Sequence, residues 1–243
     1  MILIILAALF FAPPLWAQNA YQPVRCAVIT AHFDSPAAIL ESMGVRYTVL
    51  PHKQIENTEA LTAFDTIFFP CGIGISPETS INILSRGTKL QGISLDDRYY
   101  KVDDNKTAEA IRNFITNGGT ACFSDFSIDL MHRALGNAVW HRDFANLGIA
   151  GSVDALAAGP FAAFLGRDRY PVLFGHSGWV VPKAVKRAEA LLTGNAPTPL
   201  GPLPAQLAGT ANVDDGTIYF SAFHDSGTGN ELVRFLAAQA LTV

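Results

Sequence analysis

Two textures of apolar residues alternate along this chain. Val24–Thr30 (VRCAVIT) is a nearly unbroken apolar run rich in β-branched residues, the pattern of a strand covered on both faces. Asp34 or Ser35 then suits a helix N-cap, with Pro36 in the first turn, Ala37, Ala38, Leu40 and Met43 on the apolar side and Gly44 at the end. Arg46–Leu50 predicts a second strand, Thr58–Phe64 a short helix and Thr66–Pro70 (TIFFP) a third strand. Lys106–Thr116 places Ala110, Ile111, Phe114 and Ile115 at helical spacing until Asn117-Gly118-Gly119 stops it. Thr120–Ser124 (TACFS) follows as the fourth strand, then a helix through Ile128–Leu135 that Gly136 closes.

Strands alternating with helices predict an α/β fold: a flavodoxin-like, mostly parallel sheet with helices on both faces. Ligands of such sheets sit at the carboxyl ends of the strands. Between Gly72 and Asn105 a long excursion, with Leu95-Asp96-Asp97-Arg98 and Tyr99-Tyr100, is expected to form a flap at those ends. Beyond Trp140, Gly151–Ala157, Tyr170–Phe174 and Gly178–Val181 look like short, antiparallel strands. Lys183–Leu192 reads as a helix and Ala196–Pro204 (APTPLGPLP) as an extended connector. This irregular β-rich insertion precedes a clear last unit: a turn at Asp214-Asp215-Gly216, strand Thr217–Phe223 and helix Gly229–Leu241.

The first residues follow a different rule. Met1–Ala12 (MILIILAALFFA) is too short to span a bilayer, Pro13-Pro14 interrupt it and small Ala17 follows. These features predict a signal peptide over residues 1–17, a secreted or periplasmic protein, and one mature domain over 18–243 with no stable membrane insertion. Composition narrows the partners. Twenty-one acidic against 17 basic side chains give a net charge of -4, which leaves no electrostatic case for nucleic acid. Hydrophobic residues at 49% against 16% charged exclude a disordered chain. Three cysteines cannot form a fully paired disulfide scaffold.

Three blocks resemble the class I glutamine amidotransferase-like superfamily, in particular its ThuA-like branch. Asp65–Gly72 (DTIFFPCG) is similar to the family's strand that runs into a Pro-Gly-Gly turn. Ile111–Asp125 (IRNFITNGGTACFSD) resembles the helix, double glycine and strand that lead to its nucleophile elbow, and Gly216–Ser226 (GTIYFSAFHDS) the strand that delivers its histidine. The departures are informative. Where the family's attacking cysteine stands between glycines, this chain has Phe123-Ser124-Asp125-Phe126, and the residues after His224 are Asp225 and Ser226 rather than Pro-Glu. The resemblance therefore implies the fold without glutamine hydrolysis, and a small polar ligand, with carbohydrate as the class the ThuA-like likeness suggests.

The candidate residues share the expected strand-end edge. His224 ends the last strand, beside Asp225. Ser124 and Asp125 end the fourth, where Ser124 is either a nucleophile with His224 as base or a cap of the next helix. Cys71 takes the first glycine position of the Pro-Gly-Gly turn and is an alternative nucleophile; Gly72 after it lets backbone approach a ligand. His32 and Asp34 follow the first strand. Catalytic candidates are thus His224, Ser124 and Cys71, and ligand-binding candidates His32, Asp34, Gly72, Asp125 and Asp225. Cys26 and Cys122 lie inside strands and belong to the core, while His176 and Trp179 either line a pocket or pack. His32, Asp34, Asp125, His224 and Asp225 together offer imidazole and carboxylate donors for a divalent metal, but no spacing matches a zinc motif, a phosphate loop or GxGxxG, so neither metal nor cofactor is expected. A hydrolase, and a structural module whose cleft is filled by the excursion, remain alternatives to a binding protein.

Overall fold

The computed structural model describes residues 23–31, 34–73, 104–136, 147–175, 177–182, 185, 187–224 and 230–241. The proposed signal peptide, His32, most of the excursion after Gly72, His176 and Asp225 lie outside them.

Five strands form the parallel half of one sheet: β1 (Cys26–Ile29), β2 (Tyr47–Leu50), β3 (Thr66–Phe69), β4 (Thr120–Ser124) and β11 (Gly216–Ser221), in the order β2-β1-β3-β4-β11. Their side chains alternate between two cores, as the pleat requires. Cys26, Val28, Phe68, Cys122 and Tyr219 pack with α1 (Ala37–Ser42) and α6 (Asn230–Ala240). Ala27, Ile29, Ile67, Phe69, Ala121, Phe123, Ile218 and Phe220 pack with α2 (Thr58–Thr62), α3 (Asp104–Thr116) and α4 (Ile128–Leu135). Both faces are covered, which explains why these strands are continuous apolar runs rather than alternating ones.

The register fixes the site edge. Thr66, Thr120 and Thr217 stand side by side at the start of β3, β4 and β11, so Phe69 meets Phe123, and Ser124 meets Ser221, at the far end. The Phe69 and Phe123 rings stack there with centroids 4.8 Å apart.

The expected β-rich insertion extends this same sheet. β6 (Gly151–Ala157), β7 (Arg169–Phe174), β9 (Glu189–Ala196) and β10 (Leu203–Val213) add antiparallel in the order β11-β10-β9-β6-β7. Short strands β5 (Leu147–Gly148) and β8 (Trp179–Val180) pair separately. The helix expected over Lys183–Leu192 does not reach its predicted end: from Glu189 the chain is β9 and pairs with β10, so ladder bonding overrides a helical spacing there. The connector Ala196–Pro204 is shorter than expected, a turn closed by Thr198 donating to Gly201 O.

Two elements lie outside the sequence expectations. β10 is rich in alanine and glycine, yet a Cβ on Gly209 would lie 2.8 Å from both Glu189 O and a Phe220 ring carbon, so small residues are needed where this strand is gripped. Helix α5 (Gly159–Leu165) carries Pro160 in its first turn and ends at left-handed Gly166. Its Phe161 is fully buried against Tyr170 and Phe235. Among the described residues, no helix is long and apolar enough to cross a membrane.

Candidate functional site

Each carboxyl end on the common edge delivers one polar side chain. Pro70 follows β3 and leads into a turn that holds Cys71, with Gly72 next at φ +100°. β4 ends at Ser124, and Asp125 then takes φ +42° before the chain turns through a 3-10 turn into α4. A left-handed aspartate at a strand-to-helix turn has the backbone shape of a nucleophile elbow. Buried Ser127 holds the elbow: its Oγ accepts from Ser124 N (2.8 Å) and lies 2.5 Å from Phe69 O, tying β4 to β3. Phe223 follows β11 and presents His224.

Asp125 is the hub, and only 4% of its side chain is exposed. Its Oδ1 accepts from Val180 N at 3.0 Å; its Oδ2 lies 3.1 Å from His224 Nε2 and accepts from the Cys71 thiol at 3.6 Å. Asp34, also buried, forms a second layer. The Ser124 hydroxyl donates to Asp34 Oδ2 (2.9 Å) and accepts from Cys71 N (3.0 Å).

Charge and burial set the protonation of the group. Burial alone would lower the His224 pKa, but the hydrogen bond and charge of Asp125, with the charge of Asp34, outweigh it and hold the imidazole above its ordinary value. For Cys71, burial and then the Asp125 charge push the thiol well above the usual range, so it stays protonated. His224, with 31% of its side chain exposed, is the solvent-facing member.

The structure thus joins Cys71, Asp125 and His224, with Ser124 and Asp34 behind them and Gly72 following Cys71 in its turn. Ser124 bonds Asp34 rather than the imidazole, which turns toward Asp125. The elbow residue is Asp125, one position beyond the serine that the strand pattern singles out. Aspartate tolerates left-handed backbone better than most residues, but where the β4 ladder stops is what places it at the turn. The Val180 amide was not foreseeable: it reaches Asp125 from a distant segment through a main-chain group that every residue possesses. Cys26 and Cys122 are buried in their strands as expected. Trp179 is core, 4% exposed and stacked on Phe174 at 3.6 Å.

No protein-family model matches this sequence, and no curated protein matches it. Solved structures do. A glutamine amidotransferase from Thermotoga maritima superposes with a TM-score of 0.51 at 13% identity, over 90% of this chain and 83% of that one. A structure from Thermoplasma acidophilum solved as a GMP synthase subunit gives 0.53 at 10% identity, over 91% and 96%. The β-galactosidase of Rahnella sp. R3 gives 0.54 at 12%, where 90% of this chain matches only 31% of the enzyme. At such identities the likeness establishes the fold alone, the α/β architecture that these structures share with this chain.

Proposed function

We propose that this chain uses the amidotransferase-like fold without hydrolysing glutamine, and that the Asp125–His224 rim binds a small polar ligand, of which carbohydrate is the class suggested by the ThuA-like resemblance. One observation carries the reading: the elbow is occupied by an aspartate already hydrogen-bonded to the histidine. The buried carboxylate fixes and polarises a partly exposed imidazole, which is the group left to meet a ligand hydroxyl. Attack on an acyl group is less well served. The Cys71 thiol is protonated and buried, and the Ser124 hydroxyl is spent on Asp34. Export after removal of residues 1–17 belongs to the same proposal.

Two assays test it. Purified protein incubated with glutamine is expected to release no ammonia; release that Cys71→Ser abolishes would restore the hydrolase reading. Saturation-transfer NMR against a panel of monosaccharides and polyols should show contact that Asp125→Asn and His224→Gln remove. Silence across the panel would end the carbohydrate assignment. Expressed whole in a secreting host, the protein should be recovered outside the cytoplasm with Gln18 at its N-terminus, and an intact Met1 there would refute processing.

A further inference from the structure

We infer that Cys71 Sγ, Asp125 Oδ2 and His224 Nε2 form a binding site for one borderline divalent metal ion, zinc by the chemistry of its donors. This goes beyond the small-ligand reading, which concerns the ion-free site, where Oδ2 and Nε2 are not engaged by a metal. The three atoms come from the carboxyl ends of three adjacent strands, β3, β4 and β11, and all lie within 4.8 Å of one another. Two of their separations, 3.6 Å for Sγ to Oδ2 and 3.1 Å for Nε2 to Oδ2, are close to the edges of a tetrahedral zinc site. With zinc bonded at about 2.3 Å to sulfur and about 2.0 Å to nitrogen or oxygen, neighbouring donors stand ~3.3–3.5 Å apart. Only the third edge has to tighten.

The donors are also held in advance. Asp125 Oδ1 is pinned by the Val180 amide, leaving Oδ2 to face the other two donors. The Cys71 backbone is anchored to Ser124 Oγ, and that hydroxyl to Asp34. Outer partners of this kind orient ligands in metal sites. A hard ion such as magnesium or calcium would not select a thiolate, whereas sulfur, imidazole and carboxylate together suit zinc. On binding, the Cys71 thiol releases its proton to solvent as the sulfur–metal bond forms, and His224 gives up the Nε2 proton it shares with Asp125, so that the imidazole coordinates in its neutral form with its proton on Nδ1. Cys71 and Asp125 are buried and His224 is partly exposed, so the ion arrives past His224, and water or a polar ligand would complete its coordination.

Cobalt(II), a spectroscopic substitute for zinc, tests the site in tag-free protein stripped with a chelator. The expected result is saturation at one equivalent, with visible bands of a tetrahedral ion and a near-ultraviolet thiolate-to-cobalt band, both displaced by zinc. Cys71→Ser, checked by circular dichroism, should lose the near-ultraviolet band, and His224→Gln should weaken zinc binding by ~10-fold or more. Folded wild-type protein that shows no such band and retains no zinc at one equivalent overturns the inference, as does a band that persists in Cys71→Ser. Should either variant fail to fold, the wild-type titration alone decides. The ligand panel, run with chelator present, keeps failure of the metal site distinct from failure of the binding reading.

Discussion

Asp125 occupies left-handed backbone that costs a non-glycine residue roughly 1–3 kcal/mol, and it is held there by what its carboxylate bonds. Asp125→Ala keeps the strained turn and strands the buried Val180 amide, so urea unfolding should show a loss of about 1–3 kcal/mol. Asp125→Gly removes the same bonds but relieves the turn, and is expected to be the milder variant. Should glycine prove worse than alanine, the elbow is not strained. Thiol chemistry gives a second check at this scale. Cys26, Cys71 and Cys122 are all buried, and burial pushes the Cys26 thiol up to about 12. A disulfide reagent should therefore find no reactive thiol in native protein and three after denaturation; fast labelling of Cys71 in the native state would reopen its role as a nucleophile.

At the scale of elements, the parallel half is tied at its amino ends by Asp65. Its carboxylate accepts from Arg25 N at 2.7 Å and pairs with the Arg25 guanidinium at 2.6 Å, while its carbonyl accepts from Thr120 N. The side-chain hydrogen bond from Arg25 is the main reason that the Asp65 pKa lies below its usual 3.8. A depressed carboxylate stabilises the fold above its unfolded pKa, and that contribution disappears as pH falls through the folded value. Asp65→Asn should thus cost a small amount near neutrality, small because the pair is exposed, and the gap should close in the acid range below the ordinary carboxylate pKa. A difference independent of pH would assign the effect to lost neutral hydrogen bonds.

Legibility at this scale followed burial. β1, β3 and β4 were plain because strands covered on both faces must be apolar throughout. β10 was hidden: alanine and glycine have little strand preference, and what makes Leu203–Val213 extended is a partner on each side. The apolar residues of Lys183–Leu192 fit a helix, yet from Glu189 onward their backbone groups are used by that same hidden strand. The edge carrying the site was readable from the alternation of strands and helices; the elbow residue was not, since it depends on where the β4 ladder stops.

Across the whole molecule, the parallel and antiparallel halves share more than a ladder. Helix α6 packs Leu232 and Leu236 on the parallel half and Phe235 against Phe161 of the extension. Glu231 accepts from Tyr170 of β7 at 2.8 Å. Thermal unfolding should accordingly be one transition, with calorimetric and van't Hoff enthalpies equal. Two resolved transitions would show that the extension folds as its own unit, against a single domain over residues 18–243.

By itself the sequence determined the layered α/β arrangement and the edge on which polar residues collect, because hydrophobic periodicity and the handedness of strand crossovers act locally and leave few topologies. Only the tertiary structure decided which of those residues touch. Cys71, Asp125 and His224 meet through the common register of three strands and a left-handed turn at the end of one of them. Distances of a few ångströms between remote segments are set by ladder alignment and side-chain packing, neither of which is written at any single position of the chain.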